Sequence, residues 1–304
     1  MIHLILTTTR CISWPKSVLC ADSRIPFDMT PKGKLVPNSN VNSDSTIDPE
    51  DRYVALIAGG TSGVGLACAR TLLSQGLRFL TVVGRDGERA RCAAETLSAD
   101  YPLAHILAES ADVGGVEGAQ RAVASTLAEF GCIDLMICST VPSDVAPELL
   151  ALIPLEEIER TLTQISLPPI LLTRAVLPTM RTKGAGSIVL VASDAAKVPT
   201  PGESIVGAAM AAITMFTRTS ALELKRDGIR VNCVTPSLIA DTPTSERVLA
   251  GGFSAKIFKK ATALAALGVP TADEVANLVC HLAGPQSARV TGQVVSINGG
   301  ISTG

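Results

Sequence analysis

Ser193 and Asp194 stand back to back behind an apolar run, Ser187–Ala192. A hydroxyl in that place can donate a hydrogen bond to a reacting group, although it is a poor acid. A carboxylate walled by Ile205, Val206 and Met210 can have a raised pKa or pair with a cationic substrate. Each also has a plainer reading, Ser193 as a turn serine and Asp194 as a helix or turn cap. A second constellation is Ala58-Gly59-Gly60-Thr61-Ser62-Gly63-Val64-Gly65, set between an apolar run and a helical stretch. Glycines there let backbone pass close to a pyrophosphate, and the helix start supplies amide donors and the positive end of its dipole. Arg85 ends the next apolar run. Its guanidinium offers forked donors to a phosphate, or it is a solvated surface arginine.

The elements that must hold these residues can be read from Tyr53 onward. Strands are expected at Tyr53–Ala58, Phe79–Val83, His105–Glu109, Leu135–Cys138, Ser187–Ala192, Arg230–Val234 and Val294–Ile297. Helices are expected between them at Gly63–Gln75, Glu88–Ala99, Val116–Phe130, Leu155–Met180 and Glu203–Arg226. Pro168-Pro169 should break or kink the fourth of these helices. Strands spaced by helices of this length predict right-handed βαβ units, an α/β fold with a doubly wound parallel sheet in a single domain. Ligands in such sheets bind at the carboxyl ends of the strands.

Composition agrees. A chain of 304 residues suits one α/β domain with an extension. Hydrophobic residues make up 47% but aromatics only 3%, so the core must be aliphatic. A net charge of −2 gives no reason to expect nucleic acid or an anionic membrane as partner. The 8 cysteines have no paired CxxC spacing, which suits reduced, buried thiols in a cytoplasmic protein. His3, His105 and His281 lie too far apart in sequence to suggest a metal site. Met1–Leu6 is too short to span a bilayer. Arg10, Lys16 and Arg24 leave a weak organelle-presequence reading open. Residues 30–50 are rich in Pro, Asn, Ser and Asp and are expected to be disordered, so residues 1–50 are set apart from a domain at 51–304. Met29 is an alternative start of translation.

The glycine spacing at residues 59–65 resembles the short-chain dehydrogenase/reductase family, a Rossmann-type fold, and the resemblance extends over roughly residues 52–300. Val290-Thr291-Gly292-Gln293-Val294-Val295-Ser296-Ile297-Asn298-Gly299-Gly300 is similar to the family's last strand. The resemblance implies that Gly59, Thr61, Ser62, Gly63, Val64 and Gly65 hold a dinucleotide. It places Arg85 where the family's NAD-using members carry an acidic residue, which implies a 2′-phosphate and hence NADP(H). Asp112-Val113 resembles the pair that contacts adenine, with Asp112 as a loop cap the alternative, and Ser139, Pro236, Ile239 and Thr242 complete the implied cofactor contacts.

The pattern departs from the family at the chemistry. Thirteen residues past Ser193, where the family has Tyr-x-x-x-Lys, this chain has Val206 and Met210. The family's helical Asn falls on Ile165 or Ser166, its Asn-Asn-Ala-Gly on Cys138-Ser139-Thr140-Val141 and its Pro-Gly on Pro236-Ser237. The implied proton donor is therefore absent, and ordinary ketone reduction should be severely impaired. Three readings remain: a reductase of an already activated imine or iminium, a non-redox cyclase or dehydratase, and a regulatory pseudoenzyme. Some fungal alkaloid-pathway proteins look similar to the first, and some of those also direct an intramolecular Diels–Alder closure. Leu238–Lys260, with Val248, Leu249, Phe253, Ile257 and Phe258, is expected to form an amphipathic lid over an apolar small molecule or an interface helix of a homodimer or homotetramer.

Overall fold

The computed structural model describes residues 27–29, 35–37, 52–142, 144–249 and 252–303. Two short strands come first, β1 (Phe27–Met29) and β2 (Leu35–Pro37), paired antiparallel. β2 falls within residues 30–50, and the rest of that stretch lies outside the described residues. The strands' apolar Phe27, Met29, Leu35 and Val36 favour pairing, whereas the neighbouring sequence is mostly polar.

The domain then runs β3 (Val54–Ala58), α1 (Gly63–Ser74), β4 (Phe79–Gly84), α2 (Gly87–Asp100), β5 (His105–Ser110), α3 (Val116–Phe130) and β6 (Leu135–Cys138). It continues with α4 (Leu155–Lys183), β7 (Gly186–Val191), α5 (Ser204–Leu224), β8 (Ile229–Pro236), α6 (Pro243–Leu249), α7 (Gly252–Leu264), α8 (Ala272–Ala283) and β9 (Val294–Ile297). Seven strands form one parallel sheet in the order β5-β4-β3-β6-β7-β8-β9. The order reverses between β3 and β6, so the chain leaves a crevice at their carboxyl ends.

Alternation along the central strands assigns side chains to the two faces. Ala55, Ile57, Leu135 and Ile137 join α1, α2 and α8 in one layer, while Leu56, Met136, Cys138 and Leu190 join α3, α4 and α5 in the other. Both faces are covered, which explains why the strands read as unbroken apolar runs.

Of the break or kink expected in α4, the break does not occur. The helix runs unbroken from Leu155 to Lys183 with Pro168, Pro169 and Pro178 inside it. Pro168 and Pro169 are buried, so their packing against the core offsets the backbone hydrogen bonds they remove. α5, with the turn after it, is apolar and long enough on composition alone to cross a membrane. It lies instead as a core helix, with Met210, Ile213, Thr217, Ala221 and Leu224 buried.

The expectation of buried thiols holds for Cys68, Cys138, Cys233 and Cys280, whereas Cys92 is exposed and Cys132 half-buried. Burial pushes the Cys138 thiol up to about 11 and the Cys233 thiol up to about 12. Among the described residues no cluster of His, Cys, Asp and Glu could hold a metal.

Candidate active site

A cavity of about 1460 Å³ opens at the carboxyl ends of the sheet strands. Ligand pockets usually enclose roughly 300–1,000 Å³, so the volume suits a dinucleotide and a second molecule together. Its floor is the turn after β3. There Gly59 has a φ of +79°, and a Cβ on it would stand 2.4 Å from the carbonyl oxygen of Ser139. A Cβ on Gly65 would stand 2.2 Å from the Gly59 carbonyl oxygen. The turn is thus pressed onto the strand beside it and onto the helix that follows, which leaves the start of α1 open to the cavity. This cradle fits a pyrophosphate.

Gly59, Thr61, Ser62, Gly63 and Val64 line the cavity, as expected, but Gly65 does not. Gly65 is buried and acts through packing, by letting α1 approach the turn. Gly59→Val should therefore lower stability by roughly 1–3 kcal/mol, the range for a forced overlap. Cofactor affinity should fall with it. Chemical unfolding and a fluorescence binding titration would check both.

Arg85 lies exposed at the rim of the cavity, and its side chain has no hydrogen bond or ion pair among the described residues. Arg89 lines the same end, four residues on, and was not anticipated. Its position in the first turn of α2 was the available signal. The intervening Asp86 is engaged as the cap of α2, its Oδ1 accepting from Arg89 N–H at 3.1 Å. Asp112 also lines the cavity, and its Oδ1 accepts from Gly114 N–H at 3.1 Å, so its carboxylate shapes the loop. Val113, Ser139, Pro236, Ile239 and Thr242 all line the cavity. Thr242 and Ser245 hold the start of α6 through reciprocal bonds, with Thr242 N–H donating to Ser245 Oγ at 3.1 Å and Ser245 N–H to Thr242 Oγ1 at 3.2 Å.

The other end of the cavity is apolar and holds the remaining anticipated residues. Ser193 Oγ accepts from Ala195 N–H at 3.2 Å and makes no other hydrogen bond among the described residues. Its O–H therefore remains available to a ligand. Val206 and Met210 line the wall beyond it.

Asp194 is corrected. It contributes to the cavity wall, yet its side chain is almost wholly buried and both oxygens are engaged. Oδ1 accepts from Ser296 Oγ at 3.1 Å and lies 3.8 Å from Lys197 Nζ. Oδ2 accepts from Asn298 Nδ2 at 2.6 Å and from Ser302 Oγ. A carboxylate already paired with an ammonium and bonded to three side chains is no free counter-ion. It ties the segment after β9 to the end of β7.

The expected lid is two helices, α6 and α7, in place of one. Ile257, Lys260, Ala261 and Leu264 of α7 line the cavity, and Leu249 is exposed. The side chains of Val248, Phe253 and Phe258 lie outside the described residues.

This geometry meets its relatives in sequence. A family profile described as enoyl-(acyl carrier protein) reductase matches residues 58–302. The human protein dehydrogenase/reductase SDR family member 4 is 31% identical over 254 residues, spanning 83% of this chain and 88% of the relative. The chain belongs to the short-chain dehydrogenase/reductase family. Its members are oxidoreductases, and the relatives include 2,3-dihydro-2,3-dihydroxybenzoate dehydrogenase of Bacillus subtilis, 32% identical over 83% of this chain and 96% of that one. L-sorbose reductase from Gluconobacter frateurii, solved with NADPH and L-sorbose, superimposes with a TM-score of 0.74 at 28% identity, over 82% of this chain and 96% of that one. Levodione reductase gives a TM-score of 0.76 at 27% identity over the same shares.

Proposed function

We propose that the chain is an NADP(H)-dependent reductase of an activated C=N group, an imine or iminium, carried by an apolar substrate of a biosynthetic pathway. One observation carries this reading. The cavity keeps a glycine-turn cradle suited to a dinucleotide, yet where the family has tyrosine and lysine its wall presents Val206 and Met210. Neither can move a proton. A ketone needs one as its oxygen becomes alkoxide; an iminium brings its own positive charge and does not.

When bound, the reduced nicotinamide supplies hydride. The turn at 59–64 would hold the pyrophosphate, Arg85 and Arg89 the 2′-phosphate, and Asp112 and Val113 the adenine side. Ser193 O–H orients the substrate at the opposite end. Met215 and Leu222, exposed seven residues apart on the outer face of α5, support a homodimer or homotetramer.

Mixing the protein with NADPH and a preformed cyclic iminium tests the reading through loss of reduced-nicotinamide absorbance. Conversion without cofactor consumption would favour a cyclase or dehydratase, and NADPH binding with no conversion a regulatory protein. Arg85→Ala should weaken NADPH by on the order of 1.5–3 kcal/mol, the range for hydrogen bonds to a charged group. NADH affinity should hardly change, and equal affinities for the two cofactors in the unmodified protein would overturn the assignment of Arg85.

A further inference from the structure

With Asp194 tied into the fold, the apolar end of the cavity has another carboxyl group to account for. Glu203 precedes the first turn of α5 and lines the cavity. Glu203, Val206 and Met210 stand at i, i+3 and i+7, one stripe of the helix, and all three face the cavity. α5 is pressed against the turn after Ser193 at this point: a Cβ on Gly207 would stand 2.8 Å from the Ala195 carbonyl oxygen. The stripe is thereby held on the side of the cavity where Ser193 lies.

We propose that Glu203 is the proton donor of this site, protonating the nitrogen of a neutral imine and then pairing, as carboxylate, with the iminium it has made. This rests on the reading of the site as an imine reductase. In the step a carboxyl O–H bond breaks and an N–H bond forms. The imine nitrogen gains a positive charge and the carboxyl becomes anionic, with no change of oxidation state. Hydride then enters the iminium carbon, and solvent returns a proton to Glu203.

The surroundings make Glu203 a weaker acid than a carboxyl in open water. Burial raises its pKa, the Thr200 side chain opposes that by hydrogen bonding, and the negative charge of Asp194 raises it further. Lys197 pairs with Asp194 and not with Glu203. Glu148 lies on the loop whose N–H bonds Gly202, and its Oε1 accepts from Leu149 N–H. Arg247 of α6 and Lys260 of α7 line the same cavity. An imine nitrogen is basic enough near neutral pH to take a proton outright, and a ketone oxygen is not. The same group can therefore serve one electrophile and fail the other.

Glu203→Gln keeps shape and removes the proton. With a neutral cyclic imine above neutral pH, kcat/KM should fall by roughly 10²–10⁴-fold, the contribution of a positioned acid. As pH rises, the variant's rate with the imine should fall more steeply than that of wild type, because it reduces only imine that solvent has already protonated. An N-methyl iminium has no proton to accept and should lose far less. NADPH affinity and melting temperature should hold. Glu203→Asp, one methylene short, should retain part of the imine rate.

A second readout needs no turnover. Binding of a saturated cyclic ammonium should expel the Glu203 proton, seen by calorimetry in buffers of different ionisation heat, and the Gln variant should release none. If wild type turns over neither substrate, the imine-reductase reading fails. If it turns over both and Glu203→Gln leaves the imine rate and the proton release unchanged, the role of Glu203 fails alone.

Discussion

Asp194→Ala should cost the folded protein about 3–5 kcal/mol, the loss seen when one partner of a buried ion pair is removed. Lys197 is the reason. Its side chain is 13% exposed, so once its carboxylate partner is gone the ammonium keeps only Ser296 Oγ and little water. Ser296, Asn298 and Ser302 lose an acceptor at the same time, and each unsatisfied buried group adds to the cost. Asp194→Asn should lose less, because the amide oxygen still accepts from two of these donors. Urea unfolding followed by circular dichroism would rank the three proteins. The opposite pattern, unchanged stability with lost turnover of an iminium, would return Asp194 to the mechanism as a counter-ion.

What the sequence could disclose depended on how far the deciding contacts run along the chain. The central strands β3, β4 and β6 were legible because a sheet covered on both faces demands continuous aliphatic runs, and β6 was found to the residue at Leu135–Cys138. The glycine turn was legible because its constraint is local: Gly59 and Gly65 act within one strand–turn–helix unit. Asp194 was seen as chemistry because its partners Ser296, Asn298 and Ser302 lie more than a hundred residues away. No spacing rule links them. Glu203 suffered the converse error. It reads as the polar start of an apolar helix, and only the packing of α5 against the turn at 194–196 turns that boundary into a cavity wall. The prolines of α4 show a third limit, since local propensity argues for a break and tertiary burial of Pro168 and Pro169 prevents it.

The larger functional contrast should lie between two electrophiles of one skeleton. A cyclic iminium should be reduced roughly 10²–10⁴-fold faster, in kcat/KM, than the corresponding neutral ketone, the span a positioned general acid normally contributes. At 1.36 kcal/mol per decade this is about 3–5 kcal/mol of transition-state stabilisation. The two substrates differ in when they need their proton. A ketone oxygen becomes basic only as hydride arrives, so the acid must stand at that oxygen in the transition state. In this cavity Val206 occupies the family's place for such an acid. Ser193 can donate a hydrogen bond there but releases its proton too reluctantly to replace a phenol. Glu203 sits one helical turn earlier on α5 and can serve a nitrogen that accepts its proton beforehand, which a ketone cannot do. Initial rates of NADPH oxidation with the matched pair, at equal fractions of saturation, decide the matter. Comparable rates would mean that a proton donor reaches the oxygen after all, and the case for an activated substrate would fall with it.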